Sequence, residues 1–184
     1  MKIWELRYDG INHYSVLVPD EKGINILSIL GVDGKPKQWA VRPKIKPFIE
    51  KRKKRAKPRA DLSYLIAGSI TLNEKAYQAL KEFLLPFGQL LELDCQGEIE
   101  YFYNVTKLID CVDDEHSAKE FDVVSREVFL PNSIPEDIPL IFKDPHTVGT
   151  RIYMNQAGKE KFEQIASAAG LFGARFVEAG QGLI

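Results

Sequence analysis

Residues 73–105, NEKAYQALKEFLLPFGQLLELDCQGEIEYFYNV, decide the fold. Ala76, Leu80 and Phe83 recur at i, i+4 and i+7, with Tyr77 and Leu84 beside them, so a helix over 73–85 has one apolar face. Thr71 or Asn73 supplies the oxygen its first free N–H groups need, and Pro86 with Gly88 closes it. Leu90–Leu93 and Ile99–Val105 then read as two strands around Gln96-Gly97. In the second strand Ile99, Tyr101, Tyr103 and Val105 share one face, and Glu98, Glu100, Phe102 and Asn104 the other.

A second helix is expected over 156–169, capped by Asn155, with Phe162, Ile165, Ala166 and Ala169 on one face and Gly170 as a left-handed end. Gly173–Val177 follows as a strand. Offset by 85, residues 73–94 lie over 158–179: Tyr77 meets Phe162, Leu80 meets Ile165, Phe87-Gly88 meets Phe172-Gly173, and Leu91 meets Phe176. This is a repeated helix, glycine turn and strand, which either a duplication or the common grammar of α+β units produces. Shorter strand candidates are Ile3–Tyr8, His13–Val18, Asn25–Leu30, Val128–Leu130, Pro139–Phe142 and Arg151–Met154, with a hairpin turn at Asp9-Gly10. The sum is one α+β domain over 1–184, with a mixed, mainly antiparallel sheet and two principal amphipathic helices. Its parts are an N-terminal β portion (1–40), a basic Pro-containing exposed segment (41–60) with a helical turn or two near 48–55, an α+β body (61–179) and a loose tail (180–184).

Charge is unevenly spread. Residues 41–60 hold ten of the 25 Lys/Arg and one of the 26 Asp/Glu, so the remainder carries 15 basic and 25 acidic side chains, a net of −10. Overall the charge is −1, which gives no global pull toward nucleic acid or an anionic membrane. The opening MKIWELRYDG reads as a strand and not a secretory signal, and no run approaches the ~20 apolar residues of a membrane span. A cytoplasmic setting follows, in which Cys95 and Cys111 are expected as buried thiols. His13, His116 and His146 are scattered and complete no metal set, so neither metal nor cofactor is expected.

His116 lies among Asp110, Asp113, Asp114, Glu115 and Glu120, a group that could do acid–base work or present an acidic loop. The chain has no GxGxxG, P-loop, GxSxG or HExxH, and no catalytic residue is assigned. The basic run KRKKRAKPR (51–59) could neutralise phosphates or face a partner, though Phe48 is the only ring near it for stacking. Two contact surfaces are therefore candidates: Asp113, Asp114 and Glu115, and Lys51, Arg52, Lys53, Lys54 and Arg55.

Three stretches bring a family into view. Lys57-Pro58 and Asp61-Leu62 precede the capped helix; YFYNVTKLIDCVDDEHS (101–117) carries Asn104, Asp110, Asp113 and Ser117; and AAGLFGARFVEA (168–179) carries Gly170, Leu171, Gly173, Phe176 and Val177. With Trp39 before the proline-containing segment, the pattern over roughly 35–179 resembles the immunity-protein-eleven family of bacterial polymorphic toxin systems, formerly a domain of unknown function. The resemblance implies a non-enzymatic protein that covers a cognate toxin domain, with Trp39, Asp61, Asn104, Asp110, Ser117, Gly173 and Phe176 at family-like structural positions. The long basic insert and 118–127 depart from that pattern. A nucleic-acid-binding accessory protein using 51–59 and a hydrolase centred on Asp110–His116 remain the alternatives. Oligomeric state is not legible.

Overall fold

Asn73 follows one strand and caps one helix, and Asn155, 82 residues later, ends a strand and caps the other. Each holds extended backbone (φ −75°, ψ 176° and φ −74°, ψ 175°), and each side-chain oxygen accepts the N–H three residues on, at Ala76 and Gly158. The computed structural model describes residues 2–9, 13–20 and 26–180, with the backbone alone for Ile26 and Leu27. In chain order the described elements are β1 (Ile3–Tyr8), β2 (Leu17–Pro19), α1 (Ile26–Leu30), β3 (Lys44–Pro47), β4 (Leu62–Ser63), β5 (Ile70–Leu72), α2 (Glu74–Leu84), β6 (Gly88–Cys95), β7 (Glu98–Val105), β8 (Ala118–Glu120), β9 (Val123–Arg126), β10 (Ile141–Phe142), β11 (Tyr153–Asn155), α3 (Gln156–Ala168) and β12 (Ala174–Glu178).

Six strands form one sheet in the order β2-β3-β6-β7-β5-β4, four form another in the order β10-β11-β1-β12, and β8 pairs with β9 alone. Among the described strands only β3 and β6 pair in parallel, so the fold is α+β with mainly antiparallel sheets and the two expected helices. Within this arrangement one layout occurs twice. The quartet β4-β5-β7-β6 and the quartet β10-β11-β1-β12 match strand for strand, with α2 joining β5 to β6 and α3 joining β11 to β12. In the first unit β7 follows β6 through a hairpin, whereas in the second the N-terminal β1 supplies that strand. The matched caps are 82 residues apart and the matched glycines, Gly88 and Gly173, are 85 apart; α3, at 13 residues against 11, absorbs most of the difference. The shared layout supports an internal duplication.

The two units close over one core. Tyr101, Tyr103 and Val105 of β7, Ile70 and Leu72 of β5, Leu6 of β1 and Met154 of β11 meet Ala76, Leu80 and Leu84 of α2 and Phe162 of α3. The alternation of β7 places Phe102 on its opposite face, in a second core with Leu17, Leu30, Ile45, Leu93 and Cys95, against which Trp39 packs. A third core joins Ile3, Phe142 and Tyr153 to Cys111, Val112 and Ile134. Both cysteines are free and buried. No helix among the described residues is long and apolar enough to cross a membrane.

Several local expectations are corrected. Ile26–Leu30 is a helix and not a strand, because an apolar run this short has no period that separates the two, and Leu30 is fully buried. β1 and β2 lie in different sheets and do not pair with each other; the expected turn at Asp9-Gly10 runs into residues 10–12, which lie outside the described residues. Of His13–Val18 only Leu17 onward is strand. The segment 41–60 is not wholly an exposed excursion: Lys44–Pro47 pairs with both β2 and β6, driven by Ile45, which is fully buried. Residues 48–55 form turns and no helix. The β8–β9 hairpin was not anticipated, since AKE and VVSR lack a clean apolar alternation. Ala179 N donates to Ile3 O at 2.9 Å, and 181–184 lie outside the described residues.

Candidate functional site

The acidic loop after β7 begins where Cys111 N and Val112 N both donate to the buried Asp144 Oδ2, at 2.8 Å each. From there the carboxylates turn outward, and Asp110, Asp113 and Asp114 each meet a histidine or lysine. Asp113 Oδ2 lies 2.8 Å from His116 Nδ1, and its Oδ1 accepts His116 N at 3.1 Å. Asp114 Oδ2 accepts Lys119 Nζ at 2.7 Å, while its Oδ1 is 3.5 Å from His146 Nδ1; Asp110 Oδ1 is 3.8 Å from His146 Nε2. The His116 hydrogen bond holds Asp113 below the usual carboxylate range, and the Lys119 hydrogen bond does the same for Asp114. His146 was not part of the sequence pattern. Asp144, which accepts His146 N at 2.7 Å, brings it from 32 residues beyond Asp114. Asp110 and His116 stand open to solvent, at 74% and 73% side-chain exposure, with Glu115 also exposed. Among the described residues no three His, Cys, Asp or Glu side chains group as metal ligands do.

The basic loop is built differently. Ser15 clasps both of its ends: Ser15 Oγ donates to Phe48 O at 2.8 Å, and Ser15 N donates to Pro58 O at 2.9 Å. Phe48 N donates to Val16 O at 2.8 Å, and Lys57 pairs with Glu50 across the base. Inside this frame Lys53 N donates to Glu50 O at 3.0 Å, and Arg52 takes a left-handed φ of 73°. The result is a compact surface loop, 48–58, with its ends held together. Lys51, Arg52, Lys53, Lys54 and Arg55 are all exposed, and among the described residues no carboxylate forms an ion pair with any of them. Phe48 and Ile49, 47% and 49% exposed, flank the cations. Beneath them Tyr14, Ser15, Val16, Phe48, Glu50 and Lys57 line a groove of about 130 Å³.

A larger cleft of about 510 Å³ opens between β1, the 64–69 loop and β9, lined by Glu5, Arg7, Tyr8, Tyr64, Val123 and Arg151 among others. Its charged groups are matched to one another. Arg7 Nη2 donates to Glu5 Oε2 at 2.7 Å. Arg151 pairs with the buried Glu127 and donates to the carbonyls of Val124 and Ser125 at 3.1 and 3.0 Å, which fixes β9 in place. At the far end of β9's hairpin, Phe121 and Asp122 form the turn with left-handed φ of 52° and 63°, and Phe121 is 99% exposed.

Buried ionisable groups elsewhere serve the scaffold. Glu100 meets Arg59 at 2.7 Å; burial raises its carboxyl most, the guanidinium opposes, and the result stands at about 7. Lys143 Nζ donates to Val148 O and Val32 O at 2.8 and 3.2 Å, and burial lowers it to about 8. Burial pushes both thiols up, which leaves them poor nucleophiles.

The family-like positions also do structural tasks. Trp39 Nε1 donates to Glu92 O at 3.0 Å beside Phe102. Asp61 accepts Asn73 Nδ2 at 2.9 Å and Phe172 N at 3.0 Å, tying β4 to the α2 cap and to the turn before β12. Asn104 Nδ2 donates to Lys35 O at 2.9 Å and Gln89 Oε1 at 3.0 Å. Ser117 Oγ donates to Asp113 O at 2.6 Å and accepts Val128 N at 2.9 Å. Gly173 lies against Leu62 O, and Phe176 meets Phe162 edge-on at 5.4 Å. Asp110 alone among them is solvent-facing. Compared with known protein families and with curated proteins, the chain matches none.

Proposed function

We propose that this protein is a non-enzymatic immunity protein, acting in the cytoplasm, that binds a cognate bacterial toxin domain and neutralises it by covering it. One observation carries the reading: the facing charges of the large cleft pair with one another and Asp113 and Asp114 hold His116 and Lys119, whereas five cations on an ordered loop beside exposed Phe48 and Ile49 meet no carboxylate among the described residues. Aromatic and Arg side chains are enriched at protein interfaces and complementary charge around them steers association, which Phe48, Arg52, Arg55 and the neighbouring lysines fit. The resemblance over 35–179 supplies the class of partner, and Trp39, Asp61, Asn104, Ser117, Gly173 and Phe176 fit it as supports of a common scaffold. The hydrolase reading loses ground because His116 and Asp110 project into solvent. Nucleic-acid binding draws on the same five cations and predicts retention that falls steeply with salt. The test is co-expression with the toxin encoded beside its gene. Survival is expected; cells dying as fast as without this protein would refute the reading.

A further inference from the structure

Building on the partner-binding reading above, we propose that the clasped 48–58 loop docks an acidic protein surface and takes one apolar side chain of that surface into the groove beside Phe48. Three features favour this loop over the acidic one. Its five cations lack ion-pair partners among the described residues, while Asp113 and Asp114 already hold His116 and Lys119. Its ends are joined through Ser15 and through the Lys57–Glu50 pair, so the backbone that carries the charges is already ordered before binding. The groove of about 130 Å³ is lined by Phe48, Tyr14 and Lys57 among others, with room for a single side chain.

Charge selects the partner's sign. The loop carries six Lys/Arg and one Glu, on a body whose other residues sum to −6. A compact acidic patch can meet the loop alone. A nucleic-acid strand would have to continue from it onto that acidic body, against repulsion. Phe48 and Ile49 add apolar contact at the edge of the charge, which lengthens residence once the patches have met.

The test measures association and dissociation rates of the full chain with the purified toxin domain encoded beside its gene, and in parallel with a mixed-sequence RNA oligonucleotide. The variants are Lys51→Glu with Lys53→Glu, and Phe48→Ser, each checked by thermal melting. The double variant should slow association with the toxin domain about ten-fold or more at low salt, with the gap narrowing as salt rises. Phe48→Ser should act mainly by speeding dissociation; if it fails to fold, the lysine pair still decides. Unchanged rates in the double variant, with wild type bound, overturn the docking site and leave the partner-binding reading intact. No binding by wild type overturns both. RNA retained by wild type and lost in the double variant assigns the loop to nucleic acid instead.

Discussion

Gly173 and Gly88 occupy the same place in the two units, and replacing each by alanine weighs two physical effects separately. A Cβ on Gly173 would lie 2.0 Å from Leu62 O and 2.7 Å from Ala60 Cβ, and the residue's φ is 107°. Relief requires β4 and the 170–173 turn to part. That breaks the bond from Leu62 N to Phe172 O and strains the one from Asp9 N to Gly173 O, each 2.9 Å. Two such bonds contribute about 2 kcal/mol net, and a left-handed backbone carrying a Cβ adds about 1–2 kcal/mol. Gly173→Ala should therefore cost about 3–4 kcal/mol, lowering Tm by roughly 6–16 °C for a chain of this size. Gly88 has a φ of −178°, extended backbone open to any residue, but its Cβ would lie 2.3 Å from Asn104 O. Gly88→Ala thus keeps the steric penalty without the conformational one, and should cost about 2 kcal/mol through the bonds that Thr106 N and Lys107 N make to Phe87 O. Urea and thermal unfolding followed by circular dichroism give both values. A Gly173→Ala protein as stable as wild type, or one more stable than Gly88→Ala, would refute the reasoning and the equivalence of the two positions.

Further outcomes follow from the interior. Asn155 makes four bonds, accepting from Gly158 N and Leu140 N and donating to Pro135 O and Ile138 O, so Asn155→Ala should destabilise more than Asn73→Ala; denaturant midpoints compare them directly. Glu100 is protonated in the folded state up to about 7, but ionises near its ordinary value when unfolded. The unfolded chain therefore binds fewer protons across that window, and stability falls as pH rises from about 4.5 to 7, by about 3 kcal/mol at most. Glu100→Gln should flatten that part of the stability–pH curve, and an unchanged slope would contradict the assignment. Phe121→Asn with Asp122→Gly places residues suited to left-handed backbone at φ 52° and 63°, and should stabilise by about 1 kcal/mol in thermal melts.

The helices and the central hairpin were legible because each carried several concordant signals. In α2 these were an Asn cap, an i, i+4, i+7 stripe and a Pro-Gly stop; in β7 it was an alternation that both cores use. What misled was short or depended on distant residues. Ile26–Leu30 is too brief to show a period, and β3 is a strand because Ile45 joins the core of Leu17, Leu93 and Phe102 beside β6, which no local feature of a Lys- and Pro-rich run announces. The circular order of the second unit was hidden, since its third strand lies at the other end of the sequence. At the surface the five cations were plain, but the Ser15 clasp that orders their loop was not, because it joins residues 33 and 43 positions apart. His146 likewise reaches the acidic loop only through Asp144.

The central claim is that this molecule works by occupying another protein's surface. If the account holds, a toxin domain is encoded beside its gene, and titrating the purified chain into an activity assay of that purified domain tests it most directly. Activity should fall in proportion to added protein and vanish near equimolar mixing. Full toxin activity at large excess of this protein would contradict the account.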